Sequence, residues 1–270
     1  MVRGAFTRNG APIPTVLAGD VELAYELEGA GEPVLLLHGL GGRGSAWLLQ
    51  SAALSRAFRV VSLDLRGHGG STVTRAPVSM ATFASDVAAF CRALSLGPCH
   101  VIGHSLGGMV ALQLALDSPE SVRTLAVVNS TACGRGPWVR SFVLKSVIRV
   151  AGMSAFARLN TRLHLPEPGQ ESLRQRLVET MGACSADGYL SGQAAVDGFD
   201  VRARLKEIAC PVLVVHSDQD AIPAKDKHLI ASQVRHGRLV TVEHSRHLVV
   251  WDQPERLNEE LLKFLAENGP

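Results

Sequence analysis

Short apolar runs alternate with longer amphipathic segments along this chain, and few architectures accept that pattern. The runs are Val34-Leu35-Leu36-Leu37, Arg59-Val60-Val61-Ser62-Leu63, His100-Val101-Ile102, Leu125-Ala126-Val127-Val128 and Val212-Leu213-Val214-Val215. Each is too short for a helix and apolar on consecutive positions, as a strand covered on both faces must be. Residues 21–27 instead alternate apolar and polar side chains, which predicts an antiparallel edge strand with one face in water. Helices are expected near residues 45–56, 79–94, 106–117, 224–233 and 254–267, with Ser79 as a start signal and Asp117-Ser118-Pro119 as a stop. The fold class this predicts is α/β, a mostly parallel sheet flanked by crossover helices.

From residue 131 to about 199 no strand run occurs, yet helical periodicity continues, interrupted by Pro137, Pro166, Pro168 and several glycines. That is too long for a loop inside a compact domain, so a helical insertion covering the sheet is expected. The chain then divides into a first part of the core (1–130), a helical cap (131–199) and a second part of the core (200–270).

Several function classes can be set aside. The 27 basic and 25 acidic residues are dispersed and give a formal net charge of +2, so no basic stripe marks a nucleic-acid partner. Residues 1–14 carry Arg3 and Arg8 without the continuous apolar stretch of a signal peptide, and no segment has a membrane-spanning length of apolar residues. A soluble, cytoplasmic protein is expected. The five cysteines (Cys91, Cys99, Cys133, Cys184, Cys210) form no Cys-x-x-Cys pair and are odd in number, which argues against both a disulfide framework and a structural zinc site.

The densest motif is Gly103-His104-Ser105-Leu106-Gly107-Gly108, between an expected strand and an expected helix. A serine on so sharp a turn needs small residues two positions either side, because a side chain there would strike the adjoining strand or helix. The turn also sets the hydroxyl at a helix N-terminus, whose partial positive charge favours a developing oxyanion. A second glycine-rich stretch, His38-Gly39-Leu40-Gly41-Gly42, follows an earlier strand. Backbone N–H groups of Leu106 and of Leu40 or a close neighbour are the expected oxyanion donors, with His38 holding the loop by hydrogen bonding.

An alcohol needs a base, and the base needs a carboxylate to orient it. Of ten histidines, His247 lies on the loop after the last strand-like segment and is the expected base, with His244 as the alternative. Asp220, at the C-terminal end of the strand 212–215, is the expected acid, and Asp218 the expected turn stabiliser. The end of the preceding strand holds Asn129, which has no negative charge to offer. The order Ser105, Asp220, His247 is one of the known triad orders.

On these residues, together with Asp64-Leu65-Arg66-Gly67-His68-Gly69-Gly70-Ser71, the sequence resembles the α/β-hydrolase superfamily over nearly its whole length, notably its esterase, lactonase and carbon–carbon hydrolase branches. The resemblance implies that 131–199 is the family's cap and that 64–71 is a structural strand-to-helix crossing. Ser105 separates the chain from the haloalkane dehalogenase and epoxide hydrolase branches, which need a carboxylate nucleophile. The resemblance extends to cofactor-free haloperoxidase homologues. The expected activity is hydrolysis of an ester, thioester or lactone of a small, modestly apolar substrate through an acyl-enzyme. No metal or organic cofactor is implied. Carbon–carbon bond hydrolysis of a vinylogous diketone, acyl transfer, perhydrolysis and non-catalytic ligand binding are the alternatives. Trp138, Phe142, Leu144, Val147, Met153, Phe156, Leu159 and Met181 are candidates for an apolar substrate pocket.

Overall fold

A computed structural model describes residues 13–74, 78–134 and 138–269, apart from the side chains of residues 138–142, 144 and 163. Eight strands form one sheet: β1 (Thr15–Ala18), β2 (Val21–Glu28), β3 (Pro33–Leu37), β4 (Arg59–Leu63), β5 (Cys99–His104), β6 (Val122–Val128), β7 (Pro211–Ser217) and β8 (His236–Val242), in the order β1-β2-β4-β3-β5-β6-β7-β8. β1 and β2 pair antiparallel, as do β2 and β4, and every other pairing is parallel.

One expectation is corrected here. β2 is antiparallel but not the edge, because β1 pairs along it through Thr15↔Ala24 to Ala18↔Val21. Side-chain alternation reports which face of a strand is wet; it carries no information about whether the hydrogen-bonding edge is occupied.

The expected helices form as α1 (Leu48–Leu54), α2 (Met80–Ala93), α3 (Leu106–Asp117), α7 (Ala224–Gln233) and α9 (Pro254–Glu267), with a one-turn α8 (Val249–Asp252) before the last. Ser79 caps α2 through a reciprocal pair: its Oγ accepts from the Thr82 N–H at 3.1 Å, and Thr82 Oγ1 accepts from the Ser79 N–H at 3.3 Å. The period of two along the strands divides the core into two layers. Leu35, Leu37, Val101, Leu125, Val127, Val212 and Val214 pack with α2 and α3, whereas Val34, Leu36, Ile102, Ala126, Val128, Leu213 and Val215 pack with α1 and α9.

Between β6 and β7 the chain leaves the sheet and forms α4 (Trp138–His164), α5 (Glu171–Ala183) and α6 (Ala186–Asp197). α4 is bent at Gly152, whose φ of 79° and ψ of 168° are not helical. The excursion is closed at its base by the Gly134 N–H on the Phe199 carbonyl and the Val201 N–H on the Ala132 carbonyl, both 2.9 Å. α6 rests on the loop after β4: a Cβ on Gly188 would lie 1.9 Å from the Gly67 carbonyl oxygen. That loop is pinned from within. Asp64 accepts from the N–H groups of Gly44 (2.6 Å) and Gly70 (2.7 Å), and Arg66 forks onto Asp86 at 2.7 and 2.6 Å.

Candidate active site

The turn between β5 and α3 places Ser105 at φ 53°, ψ −115°, a strained conformation for a residue with a Cβ. The flanking glycines make it possible. A Cβ on Gly103 would come 2.2 Å from the Gly107 carbonyl oxygen, and one on Gly107 would come 2.1 Å from that of Leu37. Helix and neighbouring strand therefore close on the turn from both sides, as the spacing of the two glycines requires. The Ser105 carbonyl is held by the Ser130 hydroxyl at 2.6 Å. The Leu106 N–H opens α3, where the first N–H groups have no helical carbonyl to meet.

Of the three residues expected to act together, His247 is within hydrogen-bond reach of both others. His247 Nε2 lies 3.0 Å from Ser105 Oγ, and His247 Nδ1 lies 2.8 Å from Asp220 Oδ1. With Nδ1–H donating to the carboxylate, Nε2 presents its lone pair to the serine hydroxyl. Burial alone would push the Asp220 carboxyl up, but the hydrogen bond and charge of His247, and then Lys227, hold it below the usual carboxylate range. Asp218 ties the two loops together by accepting from the Ser245 N–H at 3.1 Å, while His244 is exposed at φ 55°.

Three further side chains position the histidine. His104 Nε2–H donates to the His247 carbonyl at 2.8 Å, with the two rings 5.0 Å apart. Asn129 Nδ2 reaches the carbonyls of Arg246 and His247, each at 3.1 Å, and the Ser217 hydroxyl at 2.8 Å. His164, the last residue of α4, brings its ring 5.4 Å from that of His247. Lys227, wholly buried, places Nζ 2.7 Å from Asp220 Oδ2 and also donates to the Ile222 carbonyl. Sequence reasoning missed these roles. Lys227 alone left a signal, because it shares a helical stripe with Ile230 and Val234 and so had to face the core. His38 behaves as expected: its Nε2 accepts from the Leu65 N–H at 3.0 Å, so Nδ1 carries the proton and donates to the Gly39 carbonyl at 2.8 Å.

Ser105 and His247 open on a cavity of about 350 Å³, which Leu40, Leu106 and Met181 also line. Phe156 does not line it. It packs edge-to-face behind Tyr189 with centroids 5.2 Å apart, and Tyr189 forms the wall. Met153 is likewise buried in packing, and Leu159 is 57% exposed on the outer surface. The side chains of Trp138, Phe142 and Leu144 lie outside the described residues. The wall is more polar than a stripe of apolar candidates implied, with Thr131, Asn160, Gln193, Asp197 and Asp226 among its residues. Apolar periodicity in α4 identified the side that packs, and much of that packing is against neighbouring helices. Among the described residues no group of three or more His, Cys, Asp or Glu side chains is arranged to hold a metal ion, and no helix is long and apolar enough to cross a membrane.

Comparison with known proteins agrees with this architecture. A profile of the alpha/beta hydrolase family matches residues 34–260. The protein named "Putative carbamate hydrolase RutD" of Azorhizobium caulinodans is 32% identical over 263 residues, 94% of this chain and 99% of that one. The (E)-2-((N-methylformamido)methylene)succinate hydrolase of Acinetobacter baylyi is 27% identical over 253 residues, covering 89% and 93%. Among solved structures, a hydrolase from Pseudomonas aeruginosa superposes with a TM-score of 0.85 at 31% identity, covering 94% of this chain and 98% of its own. The chain belongs to the alpha/beta hydrolase family.

Proposed function

We propose that the protein is a serine hydrolase that cleaves an ester, thioester or lactone of a small substrate through an acyl-enzyme. The observation that carries this reading is the hydrogen-bonded chain from Ser105 Oγ through His247 to Asp220, with steps of 3.0 and 2.8 Å, beside a cavity of about 350 Å³. Ser105 attacks the carbonyl carbon as its proton passes to His247 Nε2, and Asp220 stabilises the imidazolium. The N–H groups of Leu40 and Leu106 take the oxyanion. His247 returns the proton to the leaving group, and a water activated by the same nitrogen then releases the acid. The helices α4 to α6 serve as the cap, supplying Met181, Tyr189 and His164 to the substrate's side of the cavity. The relative named as a carbamate hydrolase supports adding carbamates to the carbonyl compounds tested, since the same attack and the same oxyanion apply.

A fluorescent fluorophosphonate tests this without knowledge of the substrate. The folded wild type is expected to label at Ser105, and Ser105→Ala to lose labelling completely. His247→Ala is expected to slow it by about a thousand-fold or more. Labelling that persists in Ser105→Ala, or a folded wild type that never labels, would overturn the reading.

A further inference from the structure

We propose that Lys227 is a positioning residue that acts through Asp220 to make His247 a weaker base, so that the imidazole is neutral and ready to accept a proton at lower pH than a triad with an unpaired carboxylate would allow. The inference rests on the serine-hydrolase reading above and goes one residue beyond it.

The carboxylate of Asp220 is shared. Its Oδ1 meets His247 Nδ1 at 2.8 Å and its Oδ2 meets Lys227 Nζ at 2.7 Å, and both the Asp220 and Lys227 side chains have zero exposure. The second partner of Nζ is the Ile222 carbonyl, another acceptor, and it is the carboxylate at 2.7 Å that favours the ammonium form of the amine. A bare aspartate would present a full negative charge to the imidazolium formed during attack. The Asp220–Lys227 pair presents a dipole with no net charge, and the imidazolium gains less from it. Burial draws the Lys227 pKa below the usual lysine value, against the neighbouring carboxylates of Asp220 and then Asp226, which work to keep the charge.

Asp220 is the carboxylate that bonds the His247 ring, and other ionisable groups surround this cluster. His104 and His164 face the His247 ring at 5.0 and 5.4 Å and contribute no anion. His216, on β7, feels Lys227 as a repulsive charge. Asp218 is turned to the Ser245 N–H, and Asp226, which accepts from the Thr131 hydroxyl at 3.3 Å, is a further carboxylate that acts on Lys227. The same lysine also fixes geometry. By holding Oδ2 and the Ile222 carbonyl together it closes the loop after β7 around Asp220, whose Oδ1 is left to His247 and to the Ile222 N–H at 3.2 Å.

The test is the pH dependence of Ser105 labelling by the fluorophosphonate, which falls at low pH as His247 takes up a proton. The wild-type midpoint of that fall is the reference for the variants. Lys227→Met is expected to raise it by about one to two pH units, the effect of a full charge one carboxylate away at an effective dielectric of about 20. Lys227→Arg, which keeps the charge, is expected to restore the wild-type midpoint. A lysine with a purely structural role would lower stability and leave the midpoint where it was, and that result overturns the proposal. If Lys227→Met does not fold, Lys227→Gln, which removes the charge but keeps a donor for the Ile222 carbonyl, decides by the same rise in midpoint. A folded wild type that labels at no pH removes the serine reading and this proposal with it; labelling with an unmoved midpoint removes this proposal alone.

Discussion

Asn129 shows how much of this site depends on a side chain that touches no substrate. Its Nδ2 faces the Ser217 hydroxyl and the carbonyls of Arg246 and His247, and its Oδ1 accepts from the Ser217 N–H at 2.9 Å. It also adopts φ 43°, a left-handed conformation that asparagine tolerates better than most residues. The near-isosteric Asn129→Asp keeps the shape but replaces a donor with a carboxylate oxygen facing two carbonyls. The expected loss of stability is about 2 kcal/mol or more, as for a buried polar group left without its partner, together with slower fluorophosphonate labelling because the His247 loop is released. Thermal unfolding and labelling of the same preparation check both; an unchanged labelling rate would mean that the loop is held in place without this amide. The sequence made Asn129 visible only as a residue that could not be the acid. Its real task depends on a loop 117 residues away, and no local pattern reports a partner that distant.

At the scale of elements, α6 joins the helices inserted between β6 and β7 to the loops of the sheet through contacts that leave no room for side chains. Gly188 meets the Gly67 carbonyl, a Cβ on Gly192 would sit 2.7 Å from Leu40 Cδ1, and Tyr189 lies against Gly41. One face of a single helix thus rests on both the 64–71 loop and the loop that carries the Leu40 amide. Gly188→Ala would put a Cβ against backbone that cannot rotate away, so α6 must shift. The expected cost is about 1–3 kcal/mol, read as a lower unfolding midpoint in urea, with a changed labelling rate as Leu40 moves. Gly198→Ala is the control: its nearest neighbour would be 3.5 Å away, and little change is expected. Equal stability in the two variants would show that α6 is not seated by this contact. The strands were legible because burial on both faces demands unbroken apolar runs, and the Ser105 turn because two glycines flank a serine between strand and helix. β1 was not legible: four residues, three of them at least partly exposed, carry too little periodicity to read. Nor could the pocket be read from α4, since a helix pattern shows which side is buried and not what it is buried against.

Across the whole molecule, buried neutral histidines tie stability to pH. His38, His68 and His104 are 1%, 1% and 6% exposed, and each donates one ring N–H to a backbone carbonyl. Burial is the main force that takes their pKa values down, to about 4, 3 and 3 respectively. In the unfolded chain each returns to about 6.5. The folded values are the depressed ones, so below pH 6.5 the unfolded chain binds protons that the folded one refuses. The stability these groups support is complete above pH 6.5 and is lost as pH falls towards 4. Each contributes a slope of about 1.4 kcal/mol per pH unit in that window, and three together about 4 kcal/mol. Asp64, Asp86 and Asp252, whose carboxyls burial raises, act in the opposite sense, but only once the pH has fallen to their own folded values. A domain with a total stability of about 5–15 kcal/mol is therefore expected to unfold steeply near pH 5, with uptake of about three protons. Urea unfolding at intervals from pH 7.5 to 5 checks this, and a stability that stays flat across that range would mean that the three histidines are not held neutral. The same window bears on His247: a fall in Ser105 labelling reports the protonation of the base only where this unfolding has not begun, so the two midpoints must be measured on one sample and resolved from each other.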